Sequence, residues 1–221
     1  MSRQENIESF FGWLANQRED IDKLPEHFRR MLLLSLLDTL SKCAFPKERK
    51  NWERFVDFID HYSDWKYKDY VSLPQLRYLL FEAEGCEELK REVEARIRNW
   101  PHGRILRPCE ADPHLNELDR FRCGMWHEQI ERARYTSLLW KMRNFAVHEF
   151  RSPGRGWAFS NDNTTPYYHG LLDEKGSFQS WELVIPCEVV SGIVKNCSEN
   201  VKREFEQKGV DPYDDNHFKF G

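Results

Sequence analysis

The chain has 221 residues, enough for one domain with its own core, and a formal net charge of −4. That sign argues against a general polyanion binder, whose attraction would spread over its whole surface. The six cysteines (43, 86, 109, 123, 187 and 197) are scattered without a C-x-x-C pair, and the longest apolar stretch, Met31 to Leu37, is already broken by Ser35. The expectation is a soluble, cytoplasmic protein with free thiols, no membrane segment and no cofactor.

The N-terminal half reads helical. Asn6 to Asp20 places Ile7, Phe10, Phe11 and Leu14 on one side. Pro25 opens a second helix through Phe28, Met31, Leu32, Leu36 and Leu40 to about Cys43, and Pro46 opens a third with Trp52, Phe55, Val56 and Ile59 inward. Ser72-Leu73-Pro74 starts a fourth, followed by Leu76, Leu79 and Leu80. Glu87 to Trp100 is a charged helix with Leu89, Val93 and Ile97 as its apolar line. Three prolines and a glycine then make 101–113 a loop.

From His127 to Phe150 there is no Gly or Pro, and the spacing predicts one helix over about 127–150. At about 100° per residue, Leu138, Leu139, Met142, Phe145, Ala146 and Phe150 fall within an arc of about 140°. Arg134, Lys141, Asn144, His148 and Arg151 occupy an opposite arc of about 100°, a basic face. Ser152-Pro153-Gly154 supplies the stop. Beyond it, 166–172 and 178–185 read as strands flanking Asp173-Glu174-Lys175-Gly176, a β-hairpin over about 166–185. Pro186 opens a last helix over about 187–208, ending at Gly209, and 210–221 is a C-terminal tail. The architecture expected is mostly α: one helical domain over 1–209 carrying a C-terminal β-hairpin between the motif helix and the last helix.

Charge is uneven along the chain. From Arg96 to Arg155 there are 12 Lys/Arg against 7 Asp/Glu, a net +5, which leaves −9 for the rest. Within this basic segment lies Arg143-Asn144-Phe145-Ala146-Val147-His148. Arginine grips phosphate and histidine moves protons near neutral pH. A looser arginine-to-histidine spacing recurs at Arg54–His61, Arg96–His102, Arg107–His114, Arg120–His127 and Arg122–His127. In those, Phe, Ile, Pro, Phe and Cys follow the arginine; only Arg143 is followed by a polar residue, Asn144. The string R-N-x-x-x-H arises by chance in roughly one chain in a hundred of this length, so its helical context must add to it.

The R-N-x-x-x-H string late in an amphipathic helix resembles the signature of the HEPN superfamily (higher eukaryotes and prokaryotes nucleotide-binding domains), many of whose members are RNases. A trailing hairpin and an Ile-Pro-opened final helix are similar to one branch of it, over roughly 126–209. The resemblance implies a HEPN-like helical bundle and a homodimer that pools two motifs. It also implies metal-independent RNA cleavage to 2′,3′-cyclic phosphates, and a toxin–antitoxin or anti-phage defence role with an antitoxin or defence-system partner. Arg143, Asn144 and His148 would be the catalytic set, with Lys141, Arg151 and Arg155 contacting the RNA backbone. HEPN toxins silenced by AMPylation carry Tyr two residues after the histidine; Phe150 stands there and has no hydroxyl to modify.

One geometric difficulty accompanies this reading. On a straight helix Arg143 and His148 lie about 140° apart. Either the long arginine side chain reaches around, or a second copy completes the site. Three rival readings remain open, one of them an ordinary helical adaptor in which the motif arises by chance. Cys109, His114, Cys123 and His127 offer four zinc ligands, at a spacing that matches no standard site. The alternative within the resemblance is a catalytically silent HEPN-like RNA-binding or protein-interaction module.

Overall fold

In the computed structural model, residues 2–45, 50–81, 83–121, 126–151 and 163–213 are described. The protein is mostly helical, with one small two-stranded antiparallel sheet near the C-terminus. The described chain divides into two compact units. One comprises the described residues of Met1–Trp65, Trp140–Pro153 and Cys187–Gly221, the other those of Lys66–Leu139 and Gly154–Pro186. Each unit is assembled from segments far apart in sequence, so no linker composition marks the division.

The first unit holds helices α1 (Arg3–Asp22), α2 (Glu26–Ala44) and α3 (Asn51–Tyr62). It also takes the last nine residues of α8 (Tyr135–His148), and α9 (Cys187–Lys208). A capping box starts α1: Ser2 Oγ accepts from the Glu5 amide at 3.3 Å, and Glu5 Oε2 accepts from the Ser2 amide at 2.6 Å. Ile7, Phe10, Phe11 and Leu14 of α1 are buried as their spacing required. On α2 the buried stripe is Leu33, Leu34, Leu37 and Leu40, whereas Phe28 is exposed and Met31, Leu32 and Leu36 are half-buried. A helix apolar over most of its circumference does not reveal from its sequence which side faces inward. Val190, Ile193, Val194, Cys197, Val201 and Phe205 form the inward line of α9. Asn200 Nδ2 donates to the Tyr62 carbonyl at 2.8 Å and Asn196 Nδ2 to that of Ser63 at 3.0 Å, closing the α3 terminus. The start of the expected tail belongs to this unit: Asn6 Nδ2 donates to Asp211 at 2.7 Å, and the Tyr213 ring meets Phe10 edge-on at 5.7 Å.

The second unit contains α4 (Leu73–Phe81), α5 (Glu87–Arg98), the single turn α6 (Pro108–Ala111) and a 3-10 segment over Leu115–Phe121. It is completed by α7 (Trp126–Ala133), the first five residues of α8, and strands β1 (Tyr167–Leu172) and β2 (Phe178–Val184). The hairpin register pairs Tyr167 with Val184 and Gly170 with Trp181, with an irregularity at Leu171/Leu172. Its turn is held by Asp173, whose Oδ1 accepts from the amides of Lys175 and Ser177 at 2.9 and 2.8 Å, and Gly176 takes the positive φ of 80° that the turn requires. The core gathers Val71, Leu73, Leu76, Leu80, Leu89, Val93, Trp100, Leu106, Leu118, Ile130 and Tyr168.

The uninterrupted helix expected over 127–150 is two helices, α7 and α8, parted at Arg134. The extended backbone at Tyr70–Ser72 captures the groups that would have continued the ladder. The Ser72 amide donates to the Ala133 carbonyl at 2.9 Å, and the Tyr135 amide donates to the Tyr70 carbonyl at 3.0 Å. Arg134 therefore leaves the basic face on which helical spacing placed it. It is buried and ion-paired to Asp69 at 3.0 Å and Glu131 at 2.8 Å.

Candidate active site

Helix α8 ends at His148, two residues short of the expected end, and Phe150 follows in a left-handed conformation with φ 51°. The Phe150 ring consequently points out of the apolar arc assigned to it and is 77% exposed. The proposed stop at 152–154 lies outside the described residues, as does Arg155.

Of the two ways to bring Arg143 to His148, the side chain takes the first. Its guanidinium sweeps across Asn144, and Nη1 lies 3.1 Å from Asn144 Oδ1 and 2.8 Å from His148 Nε2. One chain therefore brings all three motif residues together. A guanidinium only donates, so Nε2 accepts in this arrangement and the imidazole proton sits on Nδ1. His148 is exposed, whereas the Arg143 side chain is 14% exposed. Phe55 packs on Trp140 at 5.4 Å, and the Arg143 guanidinium lies 5.2 Å from the Trp140 ring.

What holds the guanidinium is a residue the motif did not include. Arg143 Nη2 donates to Asp38 Oδ2 at 2.8 Å, across 105 residues of sequence. Asp38 is buried, on the inward side of α2 beside Leu34, Leu37 and Ser41. Lys42, one turn on, reaches the same oxygen at 3.0 Å, and Arg54 of α3 lies 3.4 Å from Oδ1 and 3.4 Å from Ser41 Oγ. Burial alone would raise the Asp38 carboxyl. The hydrogen bond and charge of Lys42, with those of Arg143, more than offset it, so Asp38 titrates below the ordinary carboxylate range. One signal was available in the sequence: an acid at a core-facing position of an otherwise apolar helix stripe needs a cationic partner elsewhere.

The other sequence candidates among the described residues are Lys141 and Arg151, with Cys109, His114 and His127 of the zinc alternative. Lys141 is half-buried. Arg151 pairs with Glu149 at 2.6 Å and covers the Phe145 ring at 4.2 Å. Of the zinc alternative, Cys123 lies outside the described residues, Cys109 is exposed, His114 Nδ1 is 3.0 Å from Asn116 Oδ1 and His127 is 4.0 Å from Glu131. Among the described residues no three potential metal ligands cluster, and no helix is long and apolar enough to cross a membrane.

Compared with protein-family models, with curated proteins and with solved structures, the chain matches none of them.

Proposed function

We propose that this chain is a metal-independent endoribonuclease of the HEPN type, acting through Arg143, Asn144 and His148. The observation carrying this reading is the 2.8 Å contact between Arg143 Nη1 and His148 Nε2 at the exposed end of α8. It sets a fixed cation for phosphate beside a proton-transfer group. A phosphodiester arriving at the guanidinium competes for Nη1 and releases His148 Nε2. That nitrogen takes the proton of the 2′-OH, the 2′-oxygen bonds to phosphorus, and the P–O5′ bond breaks. The 5′-oxygen leaves with a proton from the second copy's His148 in a homodimer, that copy entering the step as the imidazolium and ending it neutral. Arg143 neutralises the charge growing on the non-bridging oxygens, and Asn144 orients the guanidinium. The products are a 2′,3′-cyclic phosphate and a 5′-OH. A cytoplasmic toxin–antitoxin or anti-phage defence role, with RNA as substrate and a partner protein as restraint, accords with the same resemblance.

A second reading is a catalytically silent HEPN-like RNA-binding or interaction module. It is favoured by how fully Arg143 is occupied, with Asp38, Asn144 and His148 all on its two terminal nitrogens. Incubation of labelled single-stranded RNA with the native chain, Arg143→Ala and His148→Ala in EDTA separates the two. The nuclease reading expects cyclic-phosphate ends from the native chain and a loss of about 10²-fold or more in each variant. Equal cleavage by all three proteins, or none by the native chain, removes it.

A further inference from the structure

Three cations meet one carboxylate at Asp38, and the charges do not balance. Lys42 Nζ and Arg143 Nη2 converge on Oδ2 at 3.0 and 2.8 Å, while Arg54 Nη2 is 3.4 Å from Oδ1. Among the described residues, no second carboxylate comes within 4.0 Å of any of the three. Two of them are deeply placed, Arg54 at 12% and Arg143 at 14% side-chain exposure. The Nε–H of Arg143 is buried and has no acceptor among the described residues. Taking guanidinium groups out of water is costly unless counter-charge compensates them, and a single carboxylate compensates only one of three. The surplus is reachable from solvent, because Lys42 is 54% exposed.

We infer that Lys42, Arg54 and Arg143 form an anion site around Asp38, and that its ligand is a phosphodiester of a single nucleic-acid strand. Lys42 and Arg143 share one oxygen, so their nitrogens stand within about 6 Å of each other, a span that two oxygens of one phosphate can bridge. Asp38 acts as the spacer that keeps the cations at that distance when no ligand is bound. The choice of a diester over free phosphate rests on the nuclease reading, since His148 beside Arg143 has use only where the phosphate carries an ester to break.

The test is fluorescence anisotropy of the full chain with a labelled single-stranded 2′-deoxy oligonucleotide, which lacks the nucleophile and so binds without being cut. Salt is varied, and inorganic phosphate is added as competitor. Lys42→Gln should weaken binding about tenfold and reduce the salt slope by about 0.7, the loss of one phosphate contact on a single strand. Arg54→Gln should act in the same direction. Lys195→Gln, 57% exposed on α9, should bind as the native chain does. Circular dichroism of each variant confirms that it is folded. Native affinity and slope in both folded variants at Lys42 and Arg54 would overturn the site. Lys42-dependent binding of inorganic phosphate with no binding of the strand would overturn the diester assignment. Lys42-dependent strand binding without RNA cleavage would sink the nuclease reading and leave the anion site standing. Cleavage with normal strand binding by Lys42→Gln would do the reverse.

Discussion

Among the described residues each unit buries one aspartate, and the two are held by opposite means. Asp38 in the first unit faces three cations, with a lysine and two arginines within 3.4 Å. Asp112 in the second faces, among the described residues, only neutral donors: the Leu73 amide at 2.9 Å, the Tyr135 hydroxyl at 2.7 Å and the Tyr168 hydroxyl at 2.8 Å, with Ser72 Oγ 2.8 Å from the Tyr168 hydroxyl. Burial raises both carboxyls. At Asp38 the cations win and the carboxyl titrates low. At Asp112 burial wins over the hydrogen bonds, and the carboxyl is pushed up to about 7. Dipoles alone do not replace the hydration of a charge; full charges at hydrogen-bond distance do. The first arrangement makes a charged cluster fit to meet an anion. The second makes a structural tie joining the start of α4, the end of α6, the start of α8 and β1.

The largest effect expected from breaking this contrast is at Asp38. Asp38→Ala leaves Arg54 and Arg143 without their carboxylate, and should cost about 3–5 kcal/mol in urea unfolding. Asp38→Asn keeps the shape and loses the charge, so it should fall between the native chain and the alanine variant. A native unfolding midpoint in Asp38→Ala would show that solvent, not Asp38, compensates the arginines.

The next effect is an opposition in pH dependence. Asp38 has a depressed carboxyl, so its contribution is present above the unfolded carboxylate range and is lost as pH falls through its folded value. Asp112 has a raised one. The folded state holds its proton more tightly, and stability is lost as pH rises from about 4, the unfolded value, to about 7. Residue-resolved hydrogen exchange should therefore show the amides of α2 weakening in acid, and those at the start of α4 and in β1 weakening toward neutrality. Asp112→Asn should flatten the second trend and leave the first intact. A common slope in both regions would mean that the two carboxylates do not differ as their surroundings require.

These two sites also differ in how far the sequence disclosed them. Arg143, Asn144 and His148 were legible because six contiguous residues carry them, and the α1, hairpin and α9 patterns were legible because their periods are local. Asp38 was not joined to Arg143, since the contact spans 105 residues and only the packing of α2 against its neighbours brings it about. Arg54 was set aside because Phe55 follows it, yet it enters the cluster from another helix. Asp112 sits in a Pro-rich stretch with no period to read. The break at Arg134 has no Gly or Pro to announce it, because the competing hydrogen bonds come from Tyr70–Ser72, some 60 residues earlier.

A smaller change sharpens the Asp112 side. Tyr168→Phe removes the hydroxyl that lies 2.8 Å from both Asp112 Oδ2 and Ser72 Oγ, leaving the carboxyl with the Leu73 amide and Tyr135. The cost should be about 1–3 kcal/mol, and larger above pH 7 than below it, because the lost bond is strongest to the charged carboxylate. Urea midpoints at two pH values measure this. A loss independent of pH would mean that Asp112 keeps its proton throughout.

The smallest effect expected is at Lys42, and it asks whether charge or burial governs Asp38. Lys42 Nζ is 3.0 Å from Oδ2, and its hydrogen bond and charge are the foremost influences lowering that carboxyl against burial. The side chain is more than half exposed, so water and salt screen what it adds to stability. Lys42→Met should therefore cost under about 1 kcal/mol in urea at neutral pH. Its mark should be in titration: with Arg143 and Arg54 remaining, the Asp38 side-chain carboxyl, followed by carbon-13 NMR, should move upward but stay ionised at neutral pH. An unmoved titration would assign the depression to the two arginines alone. A carboxyl that became neutral near pH 7 would make Asp38 a second Asp112, its charge held by one exposed lysine and not by the buried guanidinium groups.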